Sequence, residues 1–359
     1  MKRTPLYETH RALGATFSEV HPGRELAAHF GDPVQEHHMV RKVAGLIDLS
    51  HRGRLRLSGS DRAKFLHRII SNDVEKLKPG EGNSALMLTN RGKVIADMKV
   101  YAHPDAISLE THPEATEVLY RELDKYLIAD DVTIEDISDT TGTVGVHGPQ
   151  SGDLLKQALG LEVDALAEHH SVFHTFDGQA VLCVRENETG ERGYNLTVES
   201  AALAGLWEKL SASSQASPVG LTALESLRIE AGIPRFGAEL DDTVIPLEAE
   251  LESAISFEKG CYIGQEIVAR MKYRGHPNRL LRGFVLETDT LPQNHDLLFD
   301  GEKEVGWVTS TVYAPTLGKT IAMGYIRTAL ADSGNKVDIQ TANERLKAEV
   351  VQLPFYQRA

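Results

Sequence analysis

Apolar and polar positions alternate through Gly53-Arg54-Leu55-Arg56-Leu57-Ser58-Gly59, the period of a strand with one face buried. Ser60 or Asp61 then caps a helix that carries Phe65, Leu66, Ile69 and Ile70 on one side. Asn83 to Leu88 and Val94 to Tyr101 read as paired strands, and Thr89-Asn90-Arg91-Gly92 between them supplies the glycine of a hairpin turn. The period lengthens over Glu117 to Ile128, where Leu119, Leu123, Tyr126 and Leu127 recur at helical spacing. Strand, helix, two strands and helix predict an α+β unit with its helices on one side of an antiparallel sheet.

A second unit of the same rhythm starts at Thr143-Val144-Gly145-Val146-His147-Gly148-Pro149, a strand ending in a turn that opens a helix with Leu154, Leu155 and Leu159. Ala180 to Val184 and Tyr194 to Val198 read as strands, and Leu203, Leu206, Trp207 and Leu210 mark a helix. The small polar run Ser211 to Pro218 connects to a helix over Leu221 to Ala231, which Gly232 and Pro234 stop. From about Asn278 the pattern becomes short alternating strands, as in Gly283 to Glu287, Glu304 to Thr309 and Ile321 to Ile326, and predicts a small β-barrel or sandwich. The expected domains are therefore 1–140, 141–277 and 278–359, with the first 45 or so residues free to pack on the second unit.

Composition adds bounds. A chain of 359 residues exceeds one ordinary core, and 41% hydrophobic with 25% charged residues is usual for a water-soluble globular protein. No apolar run has the roughly 18 residues needed to cross a bilayer, and Met1-Lys2-Arg3-Thr4-Pro5 is followed by no apolar leader. Two cysteines make no disulfide framework, so a reducing, cytoplasmic setting is expected. The net charge of −14 argues against direct nucleic-acid binding by the surface as a whole. Against that background Arg270, Lys272, Arg274, His276, Arg279 and Arg282 form one basic concentration, either a solvated face or a site for an anionic ligand. No Walker loop, HExxH or paired CxxC is present, so no metal site is expected.

The densest chemistry lies in Lys259-Gly260-Cys261-Tyr262-Ile263-Gly264-Gln265-Glu266. A thiol between a lysine and a helix start has two reasons to ionise, the ammonium and the free N–H groups of the helix. The alternative is a small buried apolar side chain. Gln265 and Glu266 can orient a partner or cap the helix. Cys183, in the apolar strand Ala180 to Val184, reads as core.

That octapeptide resembles the signature of the YgfZ group of folate-binding proteins, which support iron–sulfur cluster enzyme maintenance and tRNA modification. The rest of the chain is similar to the wider superfamily of the glycine-cleavage T-protein, an aminomethyltransferase that uses tetrahydrofolate. Thr4 to His10, Gly45 to His51, Leu227 to Pro234, Ile245 to Glu248 and Pro315 to Tyr325 carry this likeness nearly end to end. The resemblance implies a three-domain ring: two α+β, ferredoxin-like units, then a C-terminal antiparallel β-barrel, with tetrahydrofolate or a one-carbon derivative in a central channel of a single chain.

It also implies site residues. Thr189-Gly190-Glu191 matches the superfamily's Thr-Gly-Glu, whose glutamate grips the pterin, and two carboxylate oxygens suit adjacent N–H donors. Tyr194, Gln265 and Glu266 are further cofactor-binding candidates, and Arg228 either faces the channel or pairs with Glu225 three residues back. The superfamily's two adjacent aspartates appear here as Ala96-Asp97, and Ser18 to Arg24 also departs from its pattern. Strand neighbours point to opposite faces, so the acid survives only if position 97 is the inward one. The expected catalytic set is Cys261, Lys259 and Asp97. The first expectation is a YgfZ-type folate protein with iron–sulfur assembly partners. The alternatives are a tetrahydrofolate-dependent aminomethyltransferase or related demethylase, and a folate-binding module without chemistry.

Overall fold

The computed structural model describes residues 1–21, 23–213 and 215–358. Pro22, within the departing stretch Ser18 to Arg24, and Ser214, within the connection Ser211 to Pro218, lie outside the described residues, as does Ala359.

Two large antiparallel-dominated sheets, a three-stranded sheet of Lys2–Arg3, Arg24–His29 and Thr16–His21, and a barrel carry the chain. The first sheet has the order Gly82–Leu88, Val94–Ala102, Ala106–Thr111, Gly53–Ser58, Thr133–Asp136. Its core face packs Leu55, Leu57, Ala96, Met98 and Val100 against Phe65 and Leu66 of helix Arg62–His67 and Leu119 and Leu123 of helix Pro113–Lys125. The latter helix starts four residues before the predicted Glu117 because Pro113 occupies its first turn, where its missing N–H costs nothing.

The second sheet runs Ser171–Phe176, Gln179–Glu186, Gly193–Glu199, Thr141–His147, Gly45–Asp48, Ser217–Val219. Trp207 and Leu210 of helix Leu203–Ser211 and Leu154 and Leu155 of helix Ser151–Leu159 close its core. Gly45–Asp48 precedes the first sheet in the chain yet pairs with Thr141–His147 in the second. Gly45 lets helix Pro33–Lys42 and strand Ser217–Val219 come close: a Cβ there would stand 2.6 Å from Val40 Cγ2 and 2.7 Å from Val219 Cγ2. The C-terminal region is a closed barrel of six strands, Arg279–Leu286 through Arg345–Val351, filled by Phe284, Val308, Ile339 and Val350.

With helices on one face of each sheet, the opposite faces turn toward each other. Lys99 of the first sheet reaches Glu186 of the second (3.8 Å), and Tyr101 donates to the same carboxylate (2.9 Å). The main cavity opens along that seam.

Candidate functional site

The strand Val94–Ala102 decides what faces the cavity. Val94, Ala96, Met98 and Val100 alternate into the core, Ala96 completely buried. Asp97 and Lys99 therefore share the other face and line a cavity of about 380 Å³. The strand register thus puts the retained aspartate, rather than the alanine, on the inside. Thr111 Oγ1 donates to the Asp97 carbonyl at 2.6 Å and fixes the backbone there. The Asp97 Oδ1 atom is shielded and has no hydrogen-bond partner. Burial pushes this carboxyl up to about 6, against the opposing pull of Lys99, Arg52 and Arg235.

Next to it stands a dense set of ion pairs. Arg52 donates to both carboxylate oxygens of Glu188 and, at 2.9 Å, to Glu110. Burial raises Glu188, but Arg52 beside it prevails and holds the carboxyl at about 2. Glu110 goes the other way: burial, with Glu188 near it, raises its pKa despite Arg52. Glu186 accepts from Tyr101 Oη and pairs with His169 Nδ1 at 2.7 Å, while Lys99 donates to Ser84 Oγ at 2.9 Å.

Arg228 lines the cavity from helix Leu221–Glu230. It donates to Glu225, Glu239 (2.9 Å), Ser310 Oγ (3.0 Å) and the Ile233 carbonyl. Both readings of Arg228 hold together: it reaches the cavity and it pairs with Glu225. Leu86, Leu224, Ile233, Leu240 and Leu251 supply apolar wall.

The other expected residues lie elsewhere. Glu191 is buried outside the cavity lining, its oxygens taken by Tyr356 (2.8 Å), Arg41 (3.3 Å) and Arg358 (2.5 Å). It ties the C-terminal tail to the N-terminal helix Pro33–Lys42, and this network is what a pterin would have to displace to reach it. Tyr194 is fully buried in the second core and donates to the Val163 carbonyl. Gln265 accepts from the Tyr262 N–H at 2.8 Å and so orders the helix start, and Glu266 is exposed and paired with Arg270.

Cys261 is exposed, four residues before helix Gln265–Arg274 begins, which corrects the picture of a sulfur seated on the helix terminus. Nor is Lys259 left to act as its counter-ion. Its ammonium donates to three backbone carbonyls, those of His67, Ile70 (2.6 Å) and Asn72 (2.9 Å), and burial lowers it to about 8. The lysine serves as a staple for the last residue of helix Arg62–His67 and the turn that follows it, where Ile70 and Asn72 lie. In the basic segment, Arg270, Lys272, Arg279 and Arg282 each face a glutamate: Glu266, Glu252, Glu248 and Glu250.

Sequence reading missed Arg52, Lys99, Glu186, Glu188 and Arg235, all on the cavity. Lys99 had a signal, since it has the same strand parity as Asp97. Glu186 and Glu188 stood just before the Thr-Gly-Glu motif and were passed over for it. Among the described residues no group of three His, Cys, Asp or Glu could hold a metal ion, and no helix is long and apolar enough to cross a membrane.

Residues 6–259 match the family described as GCVT N-terminal domain, and 279–357 match the glycine cleavage T-protein C-terminal barrel domain. The aminomethyltransferase of Desulforamulus reducens is 32% identical over 367 residues, spanning 100% of this chain and 99% of the relative. That of Geobacillus kaustophilus is 33% identical over 369 residues and spans all of both. The crystal structure of glycine cleavage system aminomethyltransferase T from Bartonella henselae superposes with a TM-score of 0.92 at 26% identity, covering 99% of this chain and 98% of that one.

Proposed function

This chain belongs to the glycine cleavage T-protein family, and from that premise we propose that it is a tetrahydrofolate-dependent aminomethyltransferase with Asp97 as its acid–base group. The observation that carries the proposal is the placement of Asp97: inward on its strand, unpartnered at Oδ1, and raised toward neutrality by burial. This favours the transferase reading over the expectation of a YgfZ-type protein, which leaned on the loss of an aspartate and on an activated thiol.

The cavity suits the carrier. It has apolar wall for a flat ring, with Arg228, Arg235 and Asp97 among its polar lining. When bound, the folate supplies the nitrogen nucleophile that takes up the one-carbon unit. What the protein contributes is its own. Asp97, mostly ionised at neutral pH, holds the positive charge of a donor amine and passes a proton at its carboxylate. Thr111 keeps the strand in register, and the Arg52–Glu188 pair keeps two further charges internally balanced beside the reacting groups. The experiment is to incubate the protein with aminomethylated lipoyl carrier protein and tetrahydrofolate. Release of ammonia and formation of methylene-tetrahydrofolate support the reading, and no product from an intact donor refutes it.

A second reading keeps the folate cavity and assigns Cys261 to partners in iron–sulfur enzyme assembly or tRNA modification in the cytoplasm. The exposed position of the thiol favours it. It requires Cys261→Ser to abolish function in a strain dependent on this protein while folate binding is retained.

A further inference from the structure

Strand Val94–Ala102 brings a second charge to the face that carries Asp97. Lys99 stands two residues on, and side chains two apart on a strand share a face at ~7 Å. The neighbouring strands fix what flanks each of them. Leu86 lies opposite Asp97 and its side chain offers no donor. Ser84 lies opposite Lys99 on one side and Glu110 on the other. Lys99 Nζ donates to Ser84 Oγ at 2.9 Å and stands 3.8 Å from Glu186 Oε2 on the facing sheet, beyond hydrogen-bond range. The other oxygen of Glu186, Oε1, has Tyr101 Oη at 2.9 Å and His169 Nδ1 at 2.7 Å. The Lys99 ammonium is therefore pinned from two sheets, yet among the described residues it is hydrogen-bonded to no carboxylate.

The other cations on the cavity have carboxylates of their own. Arg52 donates to Glu188 and Glu110, Arg228 to Glu225 and Glu239, and Arg235 lies 3.6 Å from Glu225. The remaining titratable groups around it are His51, His112 and Glu168 in its lining and His169 behind Glu186. Arg52 holds Glu188 at about 2 against its burial, and Lys99 and His169 overcome burial to lower Glu186. Both glutamates are thus ionised at neutral pH, and like charge across the cavity drives Asp97 toward its protonated form. Burial drives it the same way, and Lys99 heads the charges that oppose this, ahead of Arg52 and Arg235.

We propose that Lys99 is a positioning residue for Asp97, a role that rests on the reading of Asp97 as the acid–base group. Pinned by Ser84 and Glu186 at strand spacing from the acid, its ammonium keeps the Asp97 carboxylate ionised at neutral pH. A cationic donor amine then meets a charge rather than a neutral acid. Lys99 itself transfers no proton.

The test follows the Asp97 carboxyl carbon by ¹³C NMR between pH 4 and 9 on the full-length protein without donor, the signal being identified by its loss in Asp97→Asn. Lys99→Met removes charge and contact together, Lys99→Gln keeps a donor for Ser84 without the charge, and Lys99→Arg keeps the charge. The titration should move up by about one pH unit in Lys99→Met and Lys99→Gln and return to within about 0.3 unit of the wild type in Lys99→Arg. The acid limb of the pH–rate profile for methylene-tetrahydrofolate formation should rise with it. A folded Lys99→Gln whose Asp97 titrates within about 0.3 unit of the wild type, or a Lys99→Arg that moves as far as Lys99→Gln, overturns the proposal. Absence of product from the wild type at every pH would instead overturn the transferase reading, and the NMR titration still decides what Lys99 does to Asp97.

Discussion

Asp97 is held at a cost that pH can expose. Its carboxyl stands near 6 in the fold against 3.8 as a free side chain, so the folded state binds its proton more tightly than the unfolded one. The contribution is therefore favourable below about pH 4 and is lost as pH rises through 6. Asp97→Asn removes the charge and should be more stable than the parent by about 2 kcal/mol at pH 8, with no difference at pH 4; denaturant unfolding at the two pH values measures this. A fold in which the carboxylate were salt-bridged would give the opposite sign. The two thiols provide an independent check. Cys183 is buried and pushed up to about 12, whereas Cys261 is exposed. Iodoacetamide on the native protein should label one thiol per chain, and Cys261→Ser should abolish the label. Rapid labelling of Cys183 would mean the second core is not packed as described.

The elements are fastened by side chains that the sequence presented as chemistry. Lys259 fastens the end of helix Arg62–His67 and the turn after it by donating to three carbonyls. Lys259→Met should cost about 2 kcal/mol in denaturant unfolding without changing the alkylation rate of Cys261; a slowed thiol at unchanged stability would restore lysine as its activator. Glu191 fastens Tyr356 and Arg358 to Arg41, so Glu191→Gln should lower stability by about 2 kcal/mol and change folinic acid affinity less than about threefold. A much larger loss of affinity would show that the tail leaves Glu191 when ligand enters. These assignments explain what sequence could and could not yield. Strand alternation around Asp97 is local, and it was legible down to the opposite facing of neighbours. The partners of Glu191 are 150 to 167 positions away, and the pairing of Gly45–Asp48 with Thr141–His147 skips an entire sheet. Motif likeness names a residue type at a place; only the fold decides whether that place faces ligand or a neighbouring segment.

At the scale of the molecule, two helix-backed sheets turn their free faces together and leave a seam lined with charged groups. The family resemblance and the barrel were readable from period changes and short motifs. The charged lining was not, because Arg52, Lys99 and the pair Glu186 and Glu188 come from three separate stretches and meet only when the sheets face each other. The account rests on one of these inward positions doing chemistry: Asp97. The direct measurement is the rate of methylene-tetrahydrofolate formation from aminomethylated lipoyl carrier protein by the wild type and by Asp97→Asn, with folinic acid binding measured on both. A fall of about a hundredfold or more with binding retained is predicted. A variant that keeps its rate within a few-fold of the wild type would contradict the assignment of Asp97 as the acid–base group.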